Sequence, residues 1–258
     1  KQKGLAYSIQ SFLCNAGSLV GFLFPFIFTW IGISNIAPQG VVPDSVIYSF
    51  YIGAAILILC VIYTTVKVKE MPPAEYAEYH GITEEEEKEK INMVKLLVKA
   101  PKAFWTVGLV QFFCWCAFMF MWTYTNGSVA ANVFDAPTVE TAVNGVSKVM
   151  LDTKSIQYQD AADWVGVLFA VQAIRSVLWA VCIPLFKDRK LIYSLSLVLG
   201  GLGFISTYFV HNQYVLFISF LLIGCAWAAM LALPFTILTN ALSGGHMGTY
   251  LGLFNGTI

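Results

Sequence analysis

The sequence carries little charge for its length. Lys, Arg, Asp and Glu make up 12% of its 258 residues, against roughly 25% in an average soluble domain. Apolar residues make up 58%, and the mean hydropathy is +0.70. Water-soluble packing cannot hide this much apolar surface, so we expect the solvent of the chain to be a lipid bilayer. The 15 basic and 15 acidic residues balance, and no basic stripe accompanies the aromatic residues, which excludes a nucleic-acid-binding surface.

Catalytic and metal-binding signatures are missing as well. The sequence contains no G-x-S-x-G, H-E-x-x-H or Walker A motif, and its three histidines fall in predicted loops. The six cysteines lie inside apolar runs without C-x-x-C spacing, which favours small buried side chains over disulfides or a metal site. We therefore expect a protein that is not an enzyme and uses no metal and no cofactor.

Long apolar runs dominate what is present. A spanning helix needs about 20 mainly apolar residues, and these runs predict an all-α, polytopic helical membrane protein with six full spans and an interrupted seventh. The first residue is Lys rather than Met and the last lies within an apolar run, so we expect a fragment of a longer chain. The predicted spans are 5–31, 46–66, 103–124, 164–186, 191–210, 214–238 and a run from about 247.

Lys and Arg alternate between the predicted loops. Loops 32–45 and 211–213 have neither residue, and loop 126–163 has only two lysines. Cytoplasmic loops carry an excess of Lys and Arg, which predicts an inner-membrane protein with a fixed orientation. The loops expected in the cytoplasm are 1–3, 67–102, 187–190 and about 240–246.

Loop 67–102 has helix signals of its own. Thr83 followed by Glu86 fits a capping box, and apolar residues share one helical face, which predicts an amphipathic helix along the inner membrane surface. We interpret the loop as a connector between two helical bundles, with a regulatory segment as the alternative. The outer loop 126–163 is polar and weakly patterned, and we expect a mobile loop with a short helix. The residues on the amphipathic face are Ile91, Val94, Leu97 and Val98.

Arg175 is the charged residue nearest the centre of a predicted span. An Arg at the centre of a spanning helix costs roughly 2.5–3.5 kcal/mol on insertion scales, so it should face a wet cavity or a partner. Gln172 lies three residues earlier on the same helical face. Together the two side chains are candidates for binding the hydroxyl groups of a polar solute. The alternative is an Arg tied to backbone carbonyls as a bridge between helices.

An aromatic stripe runs along the span 103–124. Gln111, Trp115, Phe118 and Trp122 recur at intervals of four, three and four residues, which places them on one helical face. Aromatic rings stack on sugars and amides bind hydroxyls, so Gln111, Trp115, Trp122 and nearby Tyr124 are candidate substrate-binding residues. The same stripe is also typical of core or lipid-facing packing and of an interfacial aromatic belt.

Other spans add further candidates. Asn15 either lines a pore or makes a hydrogen bond within the bundle. Gly17 and Gly21 form a small-xxx-small pair that permits close helix packing. Trp227 lies seven residues before Pro234, where a broken helix can shape a cavity. We count Trp227 as substrate-binding and Pro234 as structural or gating.

The order of spans resembles the centre of the major facilitator superfamily, with two spans, a cytoplasmic connector and further spans. Phe186–Lys190 resembles the D-R-x-G-R-type turn of its second half, although the glycine is missing, and this assigns Asp188 and Arg189 a gating or structural role. Several stretches are similar to the glycoside–pentoside–hexuronide symporters of that superfamily. The similar stretches are Gly4–Ser8 with Asn15–Gly21, Trp115 with Phe118 and Phe120, Gly224–Phe235, and Met247–Asn255.

The resemblance implies a partial bundle of major facilitator type. Residues 1–66 would be the last two spans of an N-terminal bundle, 67–102 the connector, and 103–258 a C-terminal bundle. It also implies a monomer that takes up a disaccharide such as maltose or sucrose, coupled to a proton, by alternating access. Its partners would be the sugar, the ion and the lipid bilayer.

Two departures leave alternatives open. These symporters have an acidic residue near the outer end of the seventh span, where this chain has Trp122–Gly127, and their eighth-span arginine lies nearer the outer end than Arg175. No Asp or Glu lies deep in a predicted span, so the coupling carboxylate is expected upstream. The alternatives are sodium coupling, or a drug, peptide or other metabolite as cargo. A membrane-embedded enzyme or receptor would show clustered His, Asp or Cys at one depth, which the sequence does not have.

Overall fold

The structure, a computed structural model, describes residues 2–34, 42–69, 72, 75, 78–79, 93–143, 146–242 and 247–256. Helices dominate this part of the chain, and one β-hairpin interrupts them. The helices are α1 (Gln2–Trp30), α2 (Asp44–Lys67), α3 (Met93–Val98), α4 (Lys102–Asn132), α5 (Ile156–Cys182), α6 (Arg189–Phe209), α7 (Leu216–Ala241) and α8 (Met247–Asn255). The hairpin strands are β1 (Thr138–Val143) and β2 (Val146–Leu151).

Five of the described helices are long and apolar enough to cross a membrane: α2, α4, α5 with its 3-10 extension to Leu185, α6 and α7. The 29 residues of α1 also exceed the length that a crossing needs. These helices confirm the prediction of an all-α, polytopic membrane protein. The predicted seventh span begins as α8.

Polar side chains cap the starts of several spans. Ser155 Oγ accepts a hydrogen bond from Tyr158 N at 3.3 Å at the start of α5. Asp188 Oδ1 accepts from Lys190 N and Leu191 N at 2.9 and 3.1 Å at the start of α6. Asn212 Oδ1 accepts from Tyr214 N at 2.9 Å just before α7. The Ser155 and Asp188 side chains are N-caps that satisfy backbone N–H groups without a partner within the helix, whereas Asn212 stabilises the turn that leads into α7.

The predicted bounds of the outer loop, 126–163, are wrong, because helices and a hairpin occupy most of that stretch. Helix α4 continues to Asn132 and α5 begins at Ile156, and the residues between them form the antiparallel hairpin, with Thr138 opposite Leu151. The helix end extends because Val129 and Ala130 are buried in one apolar cluster with Ala161 of α5. The hairpin forms because its strands are rich in β-branched residues, a local signal that a search for apolar runs passes over.

The most buried spanning helix in the described part is α7, which lies among α1, α5 and α6. Close approach depends on small residues in the neighbouring helices. A Cβ added at Gly203 of α6 would lie 2.8 Å from the carbonyl oxygen of Ser219 on α7. Helix α6 therefore lies directly against the backbone of α7 at this glycine.

Helix α1 packs on α5 and α7, with few contacts to its sequence neighbour α2. Ser11 Oγ donates to Ala228 O at 3.1 Å, and the Tyr7 and Phe235 rings stack at 5.7 Å between centroids. Among the described residues no close helix contact is made at Gly17 or Gly21, because a Cβ added at either would meet no atom within 4 Å, and their packing role stays a prediction. The contact runs along the Ser11 face of α1, and the two glycines lie on another face.

The connector prediction is only partly described. The capping box at Thr83 and Glu86, and Ile91, lie outside the described residues. Of the predicted amphipathic helix the structure gives α3, in which Leu97 packs against the apolar cluster of the bundle while Val94 and Val98 are exposed. Tyr250 of α8 donates its hydroxyl to Leu96 O at 3.1 Å, which ties α3 to the bundle.

Candidate functional site

Arg175 lies where α5 contacts α7 at Gly224. A Cβ added at Gly224 would lie 2.6 Å from the carbonyl oxygen of Gln172 and 2.9 Å from Arg175 Cβ. Only glycine therefore allows this turn of α5 to approach α7 so closely. The turn that carries both predicted polar residues is held against the most buried helix of the described part.

The guanidinium of Arg175 has two neighbours. Its Nε donates to the thiol Sγ of Cys225 at 3.2 Å, and its Cζ lies 4.9 Å from the ring centroid of Trp179. A cation over an indole face is attracted by the ring quadrupole. In the part of the chain that the structure describes, we find neither a backbone carbonyl nor a carboxylate bound to this group, so Arg175 does not form the carbonyl bridge considered above.

Gln172 is buried, with 5% of its surface exposed, and its Oε1 has no hydrogen-bond partner among the described residues. Its backbone oxygen accepts from Ser176 Oγ at 2.9 Å, and the same hydroxyl lies 2.8 Å from Gly224 O. Buried polar groups normally have a protein or water partner. The amide oxygen of Gln172 is therefore a buried acceptor whose hydrogen bond the described residues do not supply.

Asn15 of α1 has the same property. It is fully buried, and its Nδ2 donates to Ser11 O at 2.7 Å, while its Oδ1 has no partner in the described part of the chain. The adjacent turn of α1 contacts α7 through the bond from Ser11 to Ala228. The face of α1 that carries Asn15 is thus the face that packs on the C-terminal helices.

Three tryptophans meet between α4 and α7. The ring centroid of Trp227 lies 5.8 Å from that of Trp115 and 5.4 Å from that of Trp122, and Phe118 lies 4.8 Å from Trp227. The Nε1 of Trp115 is buried without a partner among the residues described. The predicted aromatic stripe of α4 therefore forms a cluster with a free N–H donor. Tyr124 lies outside this cluster, 62% exposed and stacked on Phe120 at 5.9 Å.

These groups share one depth. Asn15, Trp115, Gln172 and Trp227 each lie near the middle of their helices. Trp227 follows Gly224 by three residues, which is about 4.5 Å along a helix axis. The aromatic cluster and the Gln172–Arg175 turn consequently contact neighbouring positions of α7 at similar height. We call the combination of Asn15, Trp115, Gln172, Arg175 and Trp227 the midplane site.

Gln111 has a different place from the one predicted. Its Nε2 donates to Met230 O at 3.2 Å, and its Oε1 accepts from Tyr193 at 3.2 Å. Met230 lies four residues before Pro234, and proline has no N–H to donate to that carbonyl. The Gln111 side chain replaces the missing bond, and both ends of its amide are occupied inside the bundle.

Asp188 and Arg189 stabilise the turn between α5 and α6. Asp188 caps α6, and Arg189 Nη1 donates to Ile183 O at 2.9 Å. Both interactions are local to the turn. They give the two residues a structural role in this conformation.

Sequence reasoning missed Cys225, Gly224 and Tyr193. The sequence indicates only a small apolar side chain at Cys225, which its burial supports, but its contact with Arg175 joins residues 50 positions apart. The signal that could have pointed to this contact is the pair Gly224–Cys225 of small residues in an otherwise bulky apolar run.

A family model described as Major Facilitator Superfamily matches residues 1–258. No curated protein and no solved structure gives a significant match. The match covers every described helix, and the spanning helices fit a family of membrane transporters. The chain belongs to the Major Facilitator Superfamily.

Proposed function

We propose that this chain carries out secondary active transport of a sugar, coupled to a proton, by alternating access across the inner membrane. The observation that supports the proposal is the set of polar atoms at the midplane site without partners among the described residues: Asn15 Oδ1, Trp115 Nε1 and Gln172 Oε1. A disaccharide such as maltose or sucrose is the expected cargo.

The chemistry of a sugar fits these atoms. A buried polar group without a hydrogen bond costs roughly 1–3 kcal/mol, so a ligand that completes such bonds recovers that cost. Sugar hydroxyls both donate to amide oxygens and accept from an indole N–H or a guanidinium. The apolar faces of a pyranose ring match the Trp115 and Trp227 rings.

The two-bundle organisation belongs to the same proposal. Residues 1–66 would end the N-terminal bundle, 67–102 would be the cytoplasmic connector, and 103–258 would belong to the C-terminal bundle of a monomer. In the described residues α1 packs on α5 and α7 and has few contacts to α2, so the division rests on the order of spans and the connector, and the α1 contact crosses the proposed boundary. In alternating access, this α1 contact is the one that would be remade.

The proposal is tested with the full-length protein reconstituted in vesicles. We expect uptake of a radiolabelled mono- or disaccharide when a pH gradient is imposed, and loss of that uptake on addition of a protonophore. Replacing Gln172 by Leu should weaken uptake through a higher KM, because the leucine has no amide oxygen to accept a hydrogen bond from the sugar. Absence of gradient-dependent uptake for every sugar tried would contradict the proposal.

Sodium is the second candidate for the coupling ion. The free acceptors at the midplane site are amide oxygens, and oxygen ligands suit hard cations. The same vesicles distinguish the two ions: a sodium gradient should drive uptake in the presence of a protonophore if sodium is coupled, and should have no effect if a proton is.

A further inference from the structure

The thiol of Cys225 is placed to hold one edge of Arg175. Arg175 Nε donates to Cys225 Sγ at 3.2 Å, and Sγ lies 3.6 Å from Leu221 O one turn back in α7. The thiol can therefore give its own proton to Leu221 while a sulfur lone pair accepts from the guanidinium. The result is a continuous chain of hydrogen bonds from α5 into the backbone of α7.

Two further contacts restrict the guanidinium. Trp179 lies under its Cζ at 4.9 Å, one turn along α5. Gly224 sets the distance between the two helices, because any larger residue would collide with Arg175 Cβ. With the Nε edge bonded and one face covered, rotation of the planar group is confined.

The two Nη groups form the end of the Arg175 guanidinium that neither Cys225 nor Trp179 contacts. A guanidinium has five N–H donors in a fixed fork, and one of them is used on Cys225. For the four N–H donors on the two Nη atoms, no partner appears within the described ranges of the chain. A fork of this kind matches two adjacent oxygen atoms of a ligand.

We propose that Cys225 is a positioning residue for substrate binding: it orients Arg175 so that both Nη groups meet two neighbouring oxygens of the transported solute. The inference rests on the proposed function and deepens it, because it specifies a ligand with a vicinal diol or a carboxylate. A simple apolar role for Cys225 makes the opposite prediction, since alanine would then serve nearly as well as cysteine and serine worse.

Uptake kinetics of the full-length protein in vesicles separate these roles. We expect Cys225→Ala to raise the KM for the sugar about fivefold, the effect of one typical hydrogen bond, with the maximal rate little changed. Cys225→Ser should restore the KM, because its hydroxyl accepts from Nε as well. Cys116→Ala on α4 is the matched control and should leave KM unchanged, since its thiol makes no hydrogen bond to Arg175.

A deoxy sugar series tests the ligand. Removing one hydroxyl of the recognised pair should weaken uptake by the wild-type protein and have less effect on Cys225→Ala. An unchanged KM in Cys225→Ala, or a defect in Cys225→Ser as large as that in Cys225→Ala, would overturn the inference.

Infrared spectroscopy gives a readout that does not need transport. In the full-length protein with Cys225 as its single cysteine, the S–H stretching band should shift when Arg175 is replaced by Gln or Leu. A band that does not move overturns the inference whatever the uptake shows. Absence of all sugar uptake together with a shifted band would instead contradict the proposed function and support the Cys225–Arg175 pair.

Discussion

Gln111 and Pro234 act as a pair although they are 123 positions apart in the sequence. Proline leaves the Met230 carbonyl without its helical donor, and the Gln111 amide supplies one from another helix. Tyr193 completes the arrangement by donating to the same amide. The carbonyl that Pro234 leaves without a donor in α7 is thereby connected to α4 and α6 through the Gln111 side chain.

This pairing predicts a non-additive mutational effect. Gln111→Leu should destabilise the protein by roughly 1–3 kcal/mol, because it leaves Met230 O buried without its donor and removes the amide acceptor of the Tyr193 hydroxyl. In a Pro234→Ala background the cost should fall, since residue 234 then donates its own N–H to Met230 O. Thermal unfolding of the single and double variants in detergent measures the coupling.

Gln157→Leu is the matched control for that cycle, because Gln157 is exposed in the first turn of α5. It should change stability little. Equal costs of Gln111→Leu with and without Pro234 would show that the amide does not compensate for the proline.

At the scale of elements, spans begin and approach one another through a few specific residues. Asp188 starts α6 through two backbone N–H groups, and Gly224 sets the contact between α5 and α7. Both are visible in the sequence as residue types, but their partners come from elsewhere in the chain or from backbone geometry.

For α6, the cap can be separated from a role of the carboxylate charge in gating. Asp188→Ala should lower stability by about 1 kcal/mol, the usual cost of losing an N-cap. Asp188→Ser should retain most of that stability, because a hydroxyl caps as well. Melting temperatures and uptake of the full-length variants test this, and a serine variant as inactive as the alanine variant would indicate that the charge itself is needed.

For the α5–α7 contact, we predict that Gly224→Ala lowers the stability of the protein. The added methyl would overlap Gln172 O and Arg175 Cβ, and overpacking of this kind typically costs about 1–3 kcal/mol. Gly201→Ala on α6 is the control, since a Cβ there meets nothing within 4 Å of the described atoms. Thermal unfolding compares the two, and equal stability of both variants would contradict the role of Gly224 as the point of close approach.

At the scale of the whole molecule, the length and order of spans could be predicted from the sequence, because apolar run length is a local property. The contacts of Arg175 could not be, since they depend on Cys225 and Gly224 of a helix 50 residues away. The aromatic face of α4 was predictable by its spacing, but its junction with Trp227 required the packing of α4 on α7. The hairpin escapes prediction because short β-branched strands have no apolar run.

The proposed division into two bundles predicts different effects for two cross-links. A disulfide between cysteines at Ser11 and Ala228 would join α1 to α7, across the proposed bundle boundary, and should stop transport until it is reduced. The hydroxyls of Ser206 and Ser219 lie 2.7 Å apart between α6 and α7, within one proposed bundle. A disulfide there should leave transport largely intact.

Both pairs are made in a cysteine-free background and assayed in vesicles before and after reduction. Transport that survives the Ser11–Ala228 cross-link would place both residues in one rigid unit. Loss of transport with the Ser206–Ser219 cross-link would show that α6 and α7 also move relative to each other.

The hairpin between α4 and α5 closes at its base, where Asp152 N donates to Pro137 O at 2.8 Å. Six paired strand positions and that bond therefore separate the far end of the hairpin from both spanning helices. We accordingly expect an epitope tag or a fluorescent label inserted between Val143 and Val146 to leave the spanning helices undisturbed.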